Sequence, residues 1–200
     1  MKKLIVLVVV GLIASGCNDY EKIISDAREN KANVGRQIID GEEEPPFPDE
    51  SENNKTLQGV DVNKNGIRDD VEIWINFVGK DRNHRMALRQ EAKKKQLLMN
   101  VGGGLSTERR DRVARDVWDA YLCSTFIDWG VKYENTPRFH INSIVFNTNK
   151  RIEAYKNFHD RVLVYESNKK DGVSGKEYML CDFEIENFEK TLLKNQSMGY

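Results

Sequence analysis

Residues 61–72, DVNKNGIRDDVE, carry oxygen-bearing side chains at regular intervals and lead directly into the apolar segment IWINFV. Calcium in proteins takes about six to eight oxygen ligands, and a twelve-residue loop can supply them from its positions 1, 3, 5, 7, 9 and 12. The groups at these positions are Asp61, Asn63, Asn65, the backbone carbonyl of Ile67, Asp69 and Glu72. The spacing therefore predicts a single calcium site.

Two further features of this loop fit that prediction. Position 6 requires a sharp turn, and it is occupied by Gly66, which tolerates positive φ. Position 12 requires a long carboxylate that can bind through both oxygens, and Glu72 would reach back from the first turn of a helix. The stretch resembles EF-hand-like calcium loops, and especially the forms found in dockerin modules and thrombospondin type 3 repeats.

The resemblance covers about 12–20 residues and has three departures. Position 8, usually apolar in EF-hands, is Arg68; the preceding segment KTLQGV is too short for an incoming helix; and residues 171–178 do not form a second loop of the same spacing. A solitary loop with three carboxylates implies weak binding, with a Kd on the order of 10⁻⁴–10⁻³ M, and a structural role for the ion. The alternative is an Asx-rich turn in which Asp69 or Asp70 caps the helix.

The amino terminus indicates export. MKK is followed by an apolar run from Leu4 to Ala14, which is too short to span a bilayer but typical of a signal peptide. The segment ending in Ala14-Ser15-Gly16-Cys17 resembles the lipobox of bacterial lipoproteins, although Ala14 stands where leucine is usual. The resemblance implies cleavage after residue 16, lipid on Cys17 and, with Asn18 following, passage to the outer membrane. An ordinary secretory signal is the alternative.

Export also affects how the other two cysteines are interpreted. Cys123 and Cys181 form an even pair, and disulfides persist in oxidising compartments. We expect a disulfide that stabilises the fold by about 4–5 kcal/mol in the chain-entropy model. The alternative is two buried free thiols. A nucleophilic Cys123 with His140 or His159 as base, and a zinc site from the same residues, have weaker support because no cysteine-hydrolase signature or closely spaced ligand pair is present.

The remaining chain predicts an all-α fold, an irregular bundle of about five helices. Residues 17–58 contain the segment EEEPPFPDESENN and are expected to form a flexible acidic tether that spans roughly 35 Å. The helical domain then covers residues 59–200, with the calcium loop at its start. Apolar residues recur with helical spacing over about 71–78, 83–100, 106–133, 141–162 and 174–192.

The net charge of the chain argues against one class of function, nucleic-acid binding. The formal net charge is −1, which gives no basis for a nucleic-acid partner. We therefore expect a calcium-binding envelope lipoprotein that acts as a non-enzymatic structural or protein-binding module, anchored by Cys17 and paired with an envelope protein. The alternative is a small envelope hydrolase whose catalytic carboxylates converge only in the fold.

Overall fold

The computed structural model describes residues 16–100, 106–162 and 175–200. Within these ranges the chain is mainly helical, which confirms the all-α prediction. The helices are α1 (Gly16–Val34), α2 (Glu50–Asn53), α3 (Asp69–Val78), α4 (Arg82–Asn100), α5 (Thr107–Ile127), α6 (Ile141–Val145), α7 (Asn149–His159) and α8 (Phe188–Ser197). Three 3-10 turns occupy Tyr133–Asn135, Pro137–His140 and Glu177–Leu180.

Other sequence features lie outside the described residues. They are the signal segment before residue 16, the glycine run Gly102–Gly104 and Ser174, where the last predicted helix was expected to begin. Among the helices of the described ranges, none is long and apolar enough to cross a membrane.

The main core forms around α3. Val71, Trp74 and Ile75 are buried, and they belong to one apolar cluster with residues of α1, α4, α6 and α7. The helical spacing of these three side chains places them on one face, as predicted from the sequence. Because the loop of residues 61–72 runs directly into α3, the core fixes the position of the loop's last residues.

The largest difference from the prediction concerns residues 17–58, which were expected to form a flexible tether. Tyr20, Ile24 and Ala27 of α1 are buried in the main core. After α1 the chain forms a short antiparallel hairpin from β1 (Ile38–Ile39) and β2 (Glu42–Glu43), and then α2. From Tyr20 to residue 58, this segment is therefore part of the folded domain.

The acidic residues of 17–58 explain why composition wrongly predicted a flexible tether. Asp40 accepts hydrogen bonds from Arg85 Nε at 2.8 Å and from Arg89 of α4 at 2.6 Å. Glu44 is buried and accepts from Lys31 Nζ at 2.8 Å and from Asn76 Nδ2 at 2.8 Å. An acidic segment remains solvated only when such partners are absent, and the partners lie elsewhere in the sequence.

Three predicted helices have different bounds in the structure. The helix from residue 106 ends at Ile127, and Gly130 follows with φ of 79°. The helix expected over 141–162 is divided into α6 and α7, because Thr148 accepts a hydrogen bond from Arg151 N and starts a new helix. The last helix begins only at Phe188, and residues 181–187 precede it as a non-helical segment.

The non-helical segment before α8 is held by side chains of α4. Gln90 Nε2 donates to the carbonyl of Leu180 at 2.8 Å, and Gln90 Oε1 accepts from the N–H of Asp182 at 3.2 Å. Asn83 makes the same kind of paired contact with the backbone of Glu186. Because side chains of α4 pair with these backbone N–H and C=O groups, the segment can remain non-helical without leaving them unsatisfied.

Candidate metal-binding site

The loop of residues 61–72 is closed at its base by two hydrogen bonds of Asp69. The N–H of Asp69 donates to the carbonyl of Val60 at 2.8 Å, and the N–H of Val62 donates to Asp69 Oδ1 at 3.1 Å. Asp69 thus belongs both to the first turn of α3 and to the start of the loop. The closure holds Asp69, the predicted ligand at position 9, against Val62 at the start of the loop.

The interior of the loop is a series of Asx turns. Asp61 accepts from the N–H groups of Asn65 and Gly66, at 3.2 and 2.9 Å. Asn65 Oδ1 accepts from the N–H of Ile67 at 2.8 Å. Gly66 has φ of 86°, in the region that glycine tolerates best. The sharp turn expected at position 6 is therefore present.

Glu72 lies where the predicted side-chain ligands meet. Its Oε2 accepts hydrogen bonds from Asn63 Nδ2 at 3.1 Å and from Asn65 Nδ2 at 2.9 Å. A cation at this point would take the place of the two amide N–H donors, and rotation of each amide by 180° would present oxygen instead. Carboxylate and amide oxygens are the ligands that calcium prefers.

The carboxylates of the site are harder to ionise than usual. Burial, together with the neighbouring charges of Asp61 and Glu72, raises the pKa of Asp69 to about 6 against the opposing hydrogen bond from Val62. Burial also raises the pKa of Glu72. Both shifts arise chiefly from burial, which disfavours the ionised carboxylate. A divalent ion would supply positive charge and stabilise the ionised forms.

The structure places the amides of Asn63 and Asn65 against Glu72. Asp61 accepts from the backbone of Asn65, and Asp61 and Glu72 lie near enough to Asp69 for their charges to raise its pKa. Ile67, predicted to contribute its carbonyl, has its side chain in the main core and its N–H on Asn65. In the described ranges, no three His, Cys, Asp or Glu side chains form a metal-sized group. The proposed ligand set relies on two amides and a backbone carbonyl as well as on carboxylates.

Arg68 anchors the loop in a way that sequence analysis did not foresee. Its side chain is 0% exposed, and its NH2 group donates to Asp70 Oδ2 at 3.0 Å and to the carbonyl of Ile144 at 2.8 Å. Its NH1 group donates to the carbonyl of Val145 at 3.1 Å. Arg68 therefore satisfies the carboxyl end of α6, whose last carbonyls have no partner within the helix.

Asp70 links this arginine to α1. The Tyr20 hydroxyl donates to Asp70 Oδ2 at 2.7 Å. Burial opposes ionisation of Asp70, but Arg68 and the Tyr20 hydrogen bond outweigh it and hold the pKa of the carboxyl below its ordinary value. The polar residue at loop position 8, which departs from the EF-hand pattern, is thus the centre of a buried ion pair. A charged residue at position 8 indicates from the sequence that Arg68 needs a buried or surface partner, but it does not identify Asp70 as that partner.

Two further side chains fix the loop from outside. Gln96 of α4 accepts from the N–H of Arg68 at 3.0 Å and donates to the carbonyl of Gly66 at 3.3 Å. Arg151 of α7 is buried and donates to the carbonyls of Leu57, Thr56 and Asn53. The chain before the loop and the turn inside it are therefore both held by helices distant in sequence.

The cysteines occupy separate places. Cys123 of α5 and Cys181 are joined by a disulfide bond, with their Cα atoms 5.1 Å apart. The hypotheses of a nucleophilic Cys123, a zinc-bound Cys123 and a pair of free thiols are excluded by this bond. Cys17, the predicted lipid acceptor, lies in the first turn of α1. Cys181 does not lie in a helix, as the range predicted over about 174–192 required, but in the segment held by α4.

Comparisons with known proteins give no relatives. No protein-family model, no curated protein and no solved structure matches the chain.

Proposed function

We propose that this protein is a calcium-binding lipoprotein of the bacterial cell envelope and acts as a structural or protein-binding module. The observation that carries the calcium part is the convergence of Asn63 and Asn65 on Glu72, next to the buried carboxylate of Asp69. Calcium would neutralise these carboxylates and hold the loop against α3. The ion's role is structural, because a solitary loop lacks the paired partner that calcium switches use.

The surface beside the loop supports the binding part of the proposal. A cavity of about 380 Å³ lies between the loop, the β1–β2 hairpin and α4, and charges of both signs line it. Asn65 and Ile67 of the loop belong to its wall, together with Asp40, Arg89 and Lys93. Calcium would therefore order one wall of a concave surface. Ile38, 78% exposed on the hairpin, adds an apolar contact for a partner.

The calcium site is tested by thermal unfolding of the full chain in calcium and in chelator. Calcium at ten times its Kd stabilises a one-site protein by about 1.4 kcal/mol, which raises the Tm by a few degrees. Asp61→Ala should remove this shift, whereas Asp26→Ala, at an exposed position of α1, should retain it. An unchanged Tm at millimolar calcium would refute the site.

The anchor and the partner need separate tests. Cys17→Ser should leave the protein unprocessed or release it from the membrane fraction, and normal fractionation of this variant would contradict the lipid anchor. For the partner, crosslinking in cells from Ile38 should capture an envelope protein, with a crosslinker at exposed Asp26 as the control position. Equal capture from both positions would argue against the proposed surface.

The hydrolase alternative predicts a different outcome. The described residues contain one buried histidine next to a carboxylate, His84 and Asp128, with Nε2 and Oδ1 3.4 Å apart. Loss of any hydrolytic activity on exchange of His84 for glutamine, with folding intact, would favour the enzyme over the binding module.

A further inference from the structure

The calcium loop enters the fold at the end from which α1 starts. There the Tyr20 hydroxyl of α1 donates to Asp70 Oδ2 in the first turn of α3, at 2.7 Å. Toward the other ends of the same helices, Lys31 of α1 and Asn76 of α3 both donate to Glu44, each at 2.8 Å. Helices α1 and α3 therefore run in the same direction, and their beginnings lie side by side.

This arrangement places the predicted lipid anchor near the loop. Cys17 precedes Tyr20 by less than one helical turn of α1. Val62 is held beside the first turn of α3, because its N–H donates to Asp69 Oδ1 at 3.1 Å. A bilayer that holds lipid on Cys17 is therefore close to the outer side of the loop.

The outer side of the loop carries positive charge. The carboxylates of Asp69 and Glu72 are buried, whereas Lys64 is exposed. The exposed side chain of Lys93 from α4 lies over Gly66, and its Cε is 3.1 Å from the point where a Cβ of residue 66 would be. Within the described ranges, no carboxylate forms an ion pair with Lys64 or Lys93. Both ammonium groups can therefore pair with an external anion.

Two apolar side chains flank these lysines. Val62 is 60% exposed and stands two residues before Lys64 in the loop. Leu97 is 38% exposed and lies one turn after Lys93 on the same face of α4. Exposed apolar side chains bordered by lysines are typical of surfaces that dock on a bilayer.

We propose that Val62, Lys64, Lys93 and Leu97 form a docking face for the anionic bilayer that holds the lipid on Cys17. The two lysines pair with lipid phosphate groups, and the two apolar side chains enter the headgroup layer. This inference rests on the proposed lipid anchor and adds the bilayer surface itself as a ligand of the loop.

Calcium would control this docking through the charge of the loop. The three carboxylates of the predicted ligand set, Asp61, Asp69 and Glu72, outweigh Lys64 and Lys93 by one negative charge. A bound Ca²⁺ reverses the balance to one positive charge. An anionic bilayer therefore attracts the loop more strongly when the ion is present.

The test holds the chain on vesicles without relying on the natural anchor. A hexahistidine tag placed before residue 17, with Cys17→Ser, binds a nickel-chelating lipid, and the chain from residue 17 keeps the entire main core. The vesicles contain phosphatidylcholine, phosphatidylglycerol and a lipid with a nitroxide on its headgroup, which quenches nearby fluorophores. One fluorophore is attached at Val62→Cys in the docking face. Another, the control, is attached at Leu193→Cys, which is 64% exposed on α8.

In calcium, we expect the fluorophore at residue 62 to be quenched more strongly than the one at residue 193. Replacement of phosphatidylglycerol by phosphatidylcholine, or omission of calcium, should remove most of this difference. Because the tag replaces the lipid, the outcome does not depend on lipidation of Cys17, and the shift in Tm reports calcium binding separately. Equal quenching at the two positions in calcium would overturn the proposal, even where Cys17 is lipidated and calcium raises the Tm.

Lysine variants then identify the docking face. Lys64→Gln and Lys93→Gln should each lower the ratio of docked to undocked chains about fivefold, the factor that corresponds to one lysine near an anionic bilayer. Lys190→Gln removes an exposed lysine of α8 and should leave this ratio unchanged. If all three variants give the original quenching at residue 62, the loop is not held through its lysines and the proposal fails.

Discussion

Two regions of the molecule are stabilised by different kinds of interaction. They are the loop region (residues 53–72) and the disulfide region (Cys123, Cys181 and the segment to residue 187). In the loop region, two buried arginines, Arg68 and Arg151, bind backbone carbonyls and one buried carboxylate. In the disulfide region, a covalent bond and the paired side-chain contacts of Gln90 fix a segment without helical structure.

The difference shows how each region depends on its surroundings. A buried ion pair is favourable only while every partner is present, because loss of one partner leaves the other charge desolvated. A disulfide acts chiefly by restricting the unfolded chain and tolerates changes in its neighbours. The loop region should therefore be sensitive to single substitutions and to ions, and the disulfide region to redox conditions.

The largest expected effect comes from Arg68→Met. The substitution keeps most of the side-chain volume but leaves Asp70 without its cationic partner and the carbonyls of Ile144 and Val145 without the guanidinium donors. We expect a loss of about 3–5 kcal/mol in the free energy of unfolding, measured by urea denaturation. Arg112→Met, which removes an exposed pair with Glu108, should change it by less than about 1 kcal/mol. Similar values for both variants would refute the role of Arg68.

Removal of the disulfide should have the next largest effect. The variant with Cys123→Ala and Cys181→Ala should lose about 4 kcal/mol, the lower end of the chain-entropy value, since the bond closes a long loop with a sequence separation of 58. Reduction of the original protein should produce the same loss. The calcium-dependent shift in Tm should survive in this variant and vanish in Arg68→Met. Loss of the shift in both would show that the two regions are coupled.

A smaller effect is expected from Gly66→Ala. Gly66 has φ of 86°, and an added Cβ would lie 3.1 Å from Lys93 Cε, so we expect a loss of about 1 kcal/mol and a weaker calcium shift. Gly35→Ala has a similar φ of 69° and open space around the new Cβ, and it lies outside the loop. Gly35→Ala should therefore lose stability only through backbone strain, and its calcium-dependent shift in Tm should be unchanged. An equal calcium shift in both variants would contradict the sharp turn's role in binding.

The smallest effect concerns pH. The pKa of Asp69 is raised to about 6, so folding favours its protonated form. This contribution to stability is present below about pH 4, near the pKa of the unfolded chain, and is lost as pH rises to about 6. In chelator, the stability of the original protein relative to Asp69→Asn should fall across that interval. Calcium should reduce the fall, and parallel curves with and without calcium would contradict direct binding by Asp69.

The candidate ligands could be named from the sequence because they lie within twelve consecutive residues. Their spacing is a local property, and the turn and the start of α3 follow from it. The supports of the loop were not predictable in this way. Arg68 binds a carbonyl that lies 76 positions away, and Asp70 accepts from a tyrosine 50 positions away. Such pairs require the tertiary fold, which periodicity alone does not give.

The same reasoning applies to the helices. Apolar periodicity located α3, α4 and α5 because each presents one face to the core. It could not separate α6 from α7, since the break depends on the Thr148 cap and on Arg68 at the end of α6. It also could not show that Asp40 and Glu44 have cationic partners, and so residues 17–58 were expected to be a tether.

The burial of Tyr20 has a consequence for the proposed membrane attachment. If Cys17 carries lipid, three residue steps separate the anchor from a side chain in the main core. As α-helix, these steps advance about 5 Å, against the roughly 35 Å expected of a flexible tether. The domain would then sit directly on the headgroups, and its rotation and tilt would be restricted. Only partners within a molecular diameter of the same bilayer could reach it.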